Sequence, residues 1–539
     1  MKNILLKIAL TAGFLSFITM MESCNKNKIL LPNTETTSAQ VYSTPAGYLQ
    51  AIGKVYSAYA LTGNDGPTGS PDIGGIDEGT SDFFRLFWCA EELPTDEAVV
   101  GFKDAGLPDF HTMSWSSSNV FLEGIYYRSL YQITLCNEFI RQSTDAELSS
   151  RGITGTDATN VRYYAAEARF LRAYQYWVLM DLFANPPFAT ENDALGGAPP
   201  KQISRAALYA YIVSELKAID GSMVAAGKNE YGRADQGAAW ALQARVYLNA
   251  QVYTGTADYT DAITYSQKVI NAGYSLISNY DNLMLADNNL NTSENILTIN
   301  YDGNQTQNYG GTTFLVHSAV GGSMPVTDFG ISSGWAGTRV TSNLVSLFPA
   351  NVNTSFPENG NPDTRAEFWT SGQNLAINTI TTFTDGYAVN KFRNVTSTGA
   401  QGENLNYEDI DMPIFRLPEM YLIYAEAVLR GGTGGDINTA LGYINTMRTR
   451  AYKGSTAGNI TLTDLTTDFV LDERARELYW EGFRRTDLIR YSRFTDGSYL
   501  WPFKGGVKTG TSAPSYRNIY PLPAADLNVN PNLKQNPGY

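Results

Sequence analysis

Ala238-Ala239-Trp240-Ala241-Leu242-Gln243-Ala244-Arg245-Val246-Tyr247-Leu248 sits inside an uninterrupted helical pattern from Ala234 to Tyr253. Thr254-Gly255-Thr256-Ala257 follows as a turn, and Tyr259 to Asn271 reads as a second helix folded back on the first. Farther on, Leu417 to Arg430 and Ile437 to Ala451 repeat the arrangement across Gly431-Gly432-Thr433-Gly434-Gly435. Ala244 and Ala425, with Ala262 and Ala440 on the partner helices, supply small residues where helices approach closely. Both hairpins have the character of tetratricopeptide units, although the repeat of about 34 residues is not kept. Helix pairs that each bury a face against the next build a curved scaffold suited to holding partners. The expected fold class is therefore mainly α, with tetratricopeptide-like helix pairs.

Outward from the hairpins the helical pattern persists. From Pro45, the positions Tyr48, Leu49, Ile52, Val55, Tyr56 and Tyr59 form one apolar stripe. Further helices are expected around Ser81 to Glu92, over Val120 to Ser143 and over Asn160 to Phe183. The last is stopped by Asn185-Pro186-Pro187, because proline removes a backbone donor and clashes with the preceding turn. Ser204 is the expected N-cap of a helix over Arg205 to Ile219. Residues 62–81 and 94–118 read as irregular. Residues 275–412 are rich in Asn, Thr, Gly and Ser, with short alternating pieces such as Ile296-Leu297-Thr298-Ile299-Asn300-Tyr301. This is a loop-rich insertion with short strands, and long loops on a rigid scaffold are where binding groups are carried. Ile519 to Tyr539 is proline-rich and reads as non-helical. The expected organisation is a helical region over 45–274 and a second region over 275–539 that contains the insertion.

The N-terminus reads as a targeting segment. Lys2 and Lys7 precede an apolar run from Ile8 to Met21, too short and interrupted to span a bilayer. Met21-Glu22-Ser23-Cys24 looks like a bacterial lipoprotein processing site, with residues 1–23 removed and the Cys24 thiol acylated. Residues 24–44 then form a tether, and the lipid holds the protein at a membrane without spanning it. Glu22 departs from the small or apolar residue of such sites; the plainer reading is an ordinary secretory signal with Cys24 a bystander. Cys89 and Cys136 read as buried free thiols, with a disulfide between them the alternative in an exported protein. No CxxC or Cys/His grouping exists, so no metal site and no cofactor are expected. The net charge of −14 over 539 residues disfavours nucleic acid or an anionic phospholipid surface as a partner. With only 2 His against 34 Tyr, the commonest general base is scarce and flat, polar-tipped rings are abundant.

Four segments resemble the SusD/RagB family. They are Glu167-Ala168-Arg169-Phe170-Leu171-Arg172-Ala173-Tyr174; the Ala238–Leu248 stretch; Arg416-Leu417-Pro418-Glu419-Met420-Tyr421 with the later Asp472-Glu473-Arg474-Ala475-Arg476-Glu477-Leu478 and Glu481-Gly482-Phe483-Arg484-Arg485-Thr486-Asp487-Leu488; and the ending, Ile519-Tyr520-Pro521-Leu522-Pro523 through Asn536-Pro537-Gly538-Tyr539. They occur in the family's order and cover nearly the whole mature chain. The resemblance implies a non-catalytic outer-membrane lipoprotein, facing the cell exterior, that hands oligosaccharides to a SusC-like TonB-dependent transporter. A branch of the family takes peptides. Asn25-Lys26-Asn27-Lys28 is basic and lacks the acidic tract often seen in surface-displayed lipoproteins, so display is inferred from the family. The charged residues of these segments read as structural ion pairs at helical spacing.

Sugars present C–H faces that stack on aromatic rings and hydroxyls that need partners, so a site should join loop aromatics to Asn, Asp or Arg. Two loop regions qualify. Glu91 to Phe110 offers Phe102 and Asp109, and Tyr301 to Arg339 offers Asn308, Tyr309, Trp335 and Arg339. Trp335 is the first choice, against the plainer reading of a packing Trp. Trp115 reads as structural, and His317 as a loop or partly buried residue. The rival class, a lipid-anchored glycoside hydrolase, needs two carboxylates facing across a cleft, and nothing in the sequence marks a pair.

Overall fold

The computed structural model describes residues 37–194, 196–349 and 362–539. The expected signal peptide, Cys24 and residues 24–36 of the expected tether lie outside the described residues. Residues 37–44 already belong to the folded body. Thr37 caps a one-turn helix, Ser38–Val41, and Tyr42 is buried edge-on against Tyr48 and Phe139.

Pro45–Ala60 (α1) starts where the Thr44 hydroxyl accepts the Gly47 N–H and proline at the first position needs no donor. Its buried stripe is Tyr48, Ile52, Val55 and Tyr59, while Leu49 is 51% exposed, so the expected stripe is one residue too wide. Phe83–Glu91 (α2) is capped by Asp82 and buried on every side, as an all-round apolar helix must be. Ala98–Val100 (β1) lies in the stretch expected to be irregular. Val120–Gln142 (α3) is capped by Asn119, and Gly155–Phe183 (α4) stops at Ala184, whose φ of 60° turns the chain before the two prolines. Arg205–Ile219 (α5) begins at Ser204, whose hydroxyl accepts the Ala207 N–H.

Gln236–Leu248 (α6) and Tyr259–Ile270 (α7) form the first hairpin. The helix expected to reach Tyr253 breaks at Asn249, and a separate turn, Ala250–Thr254, completes it. The insertion holds Asn295–Ile299 (β2), Gly311–Ala319 (α8) and Thr338–Val340 (β3), and Met412–Arg416 (β4) closes it. Leu417–Leu429 (α9) and Ile437–Ala451 (α10) form the second hairpin, followed by Thr467–Leu478 (α11) and Arg484–Arg490 (α12). The C-terminal segment is not free of helix: Ala524–Val529 makes a short one.

α6 packs on α7, α7 on α9 and α9 on α10, so hairpin stacks on hairpin. Ala244, Ala262, Ala425 and Ala440 are fully buried at these contacts. On the other flank α3, α4 and α5 pack in succession, with α2 against α3 and α1 against α4. β2 pairs antiparallel with β4, and β1 with β3. These ladders tie the insertion to the scaffold at both ends. No described helix is long and apolar enough to cross a membrane.

Cys89 and Cys136 are free and buried, and burial pushes both thiols up to about 12. Neither is expected to react with Ellman's reagent in the native protein, whereas both should react once guanidinium unfolds it. Prompt labelling of the native fold would contradict their burial.

Candidate functional site

Tyr309 lies on the chain between β2 and α8, and several bonds fix its position. The Arg85 guanidinium donates to Tyr309 O at 3.1 Å, Gly311 N donates to Asp82 Oδ1 at 2.8 Å, and Asn308 Nδ2 donates to Ala60 O at 2.6 Å. Gly79 lets the ring base sit close, since a Cβ there would fall 2.6 Å from Tyr309 Cβ. Trp335 is placed by the end of α8. Trp335 N, Ala336 N and Gly337 N donate to the carbonyls of His317, Val320 and Ser318 at 2.7, 2.9 and 2.7 Å. The loop thereby satisfies carbonyls that a helix end leaves open.

These placements assemble an aromatic arc. Tyr309 and Trp335 have ring centroids 6.4 Å apart at 54°, and Tyr309 and Tyr407 lie 5.4 Å apart at 51°. Tyr309 is 38% exposed, and Trp335 and Tyr407 are half-buried. Phe102 extends the same surface from the other expected loop. Its ring lies over Gly337, where any side chain would collide with it at 2.3 Å. The contact follows from β1 pairing with β3, which brings Val100 opposite Thr338. Around the arc, Asn304, Gln307 and Asn406 supply amides at least partly open to solvent.

The structure gives three other expected site residues different work. Arg339 is fully buried and donates to the carbonyls of Asp385, Gly337, Ile380 and Thr382. Its alternating position on β3 points it inward, so it organises the 380–385 loop and offers no donor to a ligand. Asn308 is 1% exposed, with its amide spent on Ala60 O and Gly310 N. Asp109 accepts from Asn119 Nδ2 at 3.0 Å at the entry to α3, and none of its described contacts reaches the arc. Trp115 is structural, as expected: it is buried and donates to the Tyr539 hydroxyl at 2.7 Å. His317 is not on a loop. It lies on α8, 2% exposed, with its ring stacked behind Trp335.

Tyr407 is a site residue that the sequence reading missed. Its only signal was an aromatic in an amide-rich loop, Asn404-Leu405-Asn406-Tyr407. Two adjoining cavities, one of about 290 Å³ beside α1 and one of about 390 Å³ next to it, were also unread; Tyr231, Arg233 and Leu297 border both. The first is walled mostly by aliphatic and tyrosine carbon.

The charged family-like segments face inward. Glu473, Glu477 and Glu481 are buried and held by Arg365, Arg416, Arg448, Arg450, Arg476 and Lys391. Arg484 makes a bidentate pair with Asp96, while Arg485 donates to Asn518 O at the start of the C-terminal segment. None of these carboxylates lines an open cleft. Asp302, Glu403 and Asp409 have oxygens within 4.8 Å of one another and could hold a cation. Asp302 and Asp409 each accept two backbone N–H groups, and Glu403 accepts from Asn304 Nδ2, which accounts for their grouping as loop ties.

Comparison with known proteins bears on the family and the fold. A model of the SusD family matches residues 358–539. The starch-binding protein SusD of Bacteroides thetaiotaomicron is 37% identical over 526 residues, covering 90% of this chain and 91% of that protein. SusD-like protein P2 of Formosa agariphila is 26% identical over 415 residues, covering 73% of this chain and 77% of its own length. Among solved structures, a laminarin-binding SusD-like protein superposes with a TM-score of 0.67 at 22% identity, covering 92% of this chain and 99% of that one. Surface glycan-binding protein A from B. thetaiotaomicron, in complex with laminarihexaose, gives 0.67 at 20%, covering 91% and 99%. At such identities the two structures speak for the fold.

Proposed function

Because the chain belongs to the SusD family, we propose that it is a non-catalytic glycan-capturing lipoprotein whose site is the arc of Tyr309, Trp335, Tyr407 and Phe102. The observation that carries the reading is the arc itself. Three rings tilted by about 50° from one to the next make a curved surface, ringed by amides. A flat, ribbon-like glycan would touch one ring squarely and ride above the others. An α-linked glucan coils, and its curved outer face can meet successive tilted rings through C–H faces. The starch-binding name of the 37% identical relative supports the same ligand class.

Lipidation at Cys24, display on the outer membrane and delivery to a SusC-like TonB-dependent transporter complete the proposal. They are supported by family membership and by the signal-like N-terminus. Enzyme action is disfavoured by the committed, buried carboxylates of α11 and α12.

Calorimetry of the purified protein against maltoheptaose, laminarihexaose, cello-oligosaccharides and short peptides tests this. Saturable binding of maltoheptaose without new reducing ends is expected. Binding of peptides alone would move the protein to peptide uptake, and multiple turnovers of any glycan would overturn the binding-only role.

A further inference from the structure

Trp335 is backed by a charge. Its indole lies against the His317 imidazole, with centroids 4.8 Å apart and planes at 24°. His317 Nδ1 is 2.6 Å from Ser333 O, and Nε2 is 3.1 Å from Glu408 Oε1. A carbonyl oxygen only accepts, so Nδ1 carries a proton. Nε2 faces a carboxylate, which also accepts, so that contact requires a second proton. Both residues are 2% exposed, and neither His317 Nε2 nor either Glu408 oxygen has a hydrogen-bond partner among the described residues, so the two face each other as an ion contact. A buried carboxylate without a counter-charge is strongly unfavourable, so the imidazolium answers a need. Glu408 also follows Tyr407 directly, and Ser332 N donates to Leu405 O at 2.8 Å. The Trp335 loop and the Tyr407 segment are thus laced together next to the pair.

We propose that His317 and Glu408 are a charged positioning pair for the glycan platform, locking the loop that bears Trp335 to the segment that bears Tyr407. This rests on the arc being the glycan site. Burial by itself lowers the imidazole's affinity for its proton, but Glu408 and the Ser333 and Asn406 backbone outweigh it and hold the group above its usual value. The lock is therefore fully present in mild acid and is lost as pH rises through that raised value. On the elements packed against α8 and the Trp335 loop, the other charged or titratable groups are Tyr309 and Tyr407 beyond the indole, and Arg85 of α2, whose guanidinium lies 4.6 Å from the Phe314 ring. Arg339 of β3 is bonded to carbonyls away from it. Of all these side-chain types, imidazole is the one that ordinarily titrates between about pH 5 and 8.

The test is the affinity for maltoheptaose from about pH 5.5 to about pH 9.5, together with ligand-free tryptophan fluorescence over the same range. Wild-type binding is expected to hold in mild acid and to weaken about tenfold as pH rises through the titration. His317→Gln, which can still donate to Ser333 O, should bind more weakly with a flat profile. Glu408→Gln should move the midpoint down by about one unit or more, because the stabilising charge is gone. A merely structural role would weaken binding without moving the midpoint. A flat wild-type profile, or an unmoved midpoint in Glu408→Gln, overturns the proposal. Fluorescence separates the two readings: a titration absent from Trp335→Phe and His317→Gln supports the pair even if no glycan binds, which would overturn only the glycan site. No such titration overturns the pair.

Discussion

Trp335→Ala is expected to weaken maltoheptaose binding about thirty- to hundredfold, a loss of about 2–3 kcal/mol of the size seen when a central aromatic anchor is truncated. Trp335 is the largest ring of the arc; it packs against Tyr309 and is carried by the loop whose Gly337 lies under Phe102. Removing it leaves Tyr309 and Tyr407 as one wall without its neighbour. Tyr309→Ala should cost less, about tenfold, because Tyr407 still presents a face beside the gap. Folding stability should change little, since three backbone bonds hold the 335–337 loop and the indole is only partly buried. The control is Arg339→Ala, which should lower the melting temperature and disturb binding only in step with that loss. Calorimetry and thermal unfolding on the same samples check both halves. Undiminished binding by Trp335→Ala would remove the arc as the site.

The contrast between Trp335 and Arg339 shows what a sequence can and cannot reveal. The helical hairpins were legible because their pattern repeats over dozens of residues, and small residues such as Ala244 and Ala425 explain themselves. The insertion was legible as loop-rich chain with short strands, and Tyr309, Trp335 and Phe102 were legible as loop aromatics. What a loop sequence does not carry is direction. Asn308 and Tyr309 are neighbours, yet one is spent on Ala60 O and the other faces solvent. Arg339 resembles a ligand-binding cation until β3 pairs with β1 and turns it inward. Tyr407 joins Tyr309 across nearly a hundred residues, a proximity set by the bonds of the Asp409 and Asn394 loops and by no local pattern. α8 was missed for a related reason. Thr312-Thr313-Phe314-Leu315-Val316-His317 is buried on all sides, so it has no polar face and no helical period to read.

The largest effect on stability is expected at Arg416. It stands where β4 meets α9, and it donates to Glu294, Glu477 and Glu481 at 2.6–3.0 Å while 1% exposed. Arg416→Met removes the cation and leaves three buried carboxylates short of a partner, a loss of about 3–5 kcal/mol. Glu294 precedes β2 and Glu477 ends α11, so this one guanidinium fastens the insertion to both the second hairpin and the charged helix. Exposed pairs such as Arg162–Asp145 should by comparison contribute under about 1 kcal/mol. The pH dependence gives the stricter check. Burial works against charge on Glu473, but Arg365, Arg476 and Arg448 hold its carboxyl down to about 2, and Arg450, Arg416 and Arg365 hold Glu477 lower still. A carboxyl whose native pKa is depressed adds stability above its unfolded value, about 4.3, and that stability drains away as pH falls through the native value. Wild type should therefore lose stability steeply only below about pH 4. Without Arg416 the Glu477 and Glu481 carboxyls sit higher, so the variant should be weaker at neutrality and less sensitive to acid, its unfolding curve converging on wild type as pH drops. Denaturant midpoints at neutral and acid pH measure this directly. Parallel curves with a constant gap would mean that Arg416 contributes by packing and not by charge.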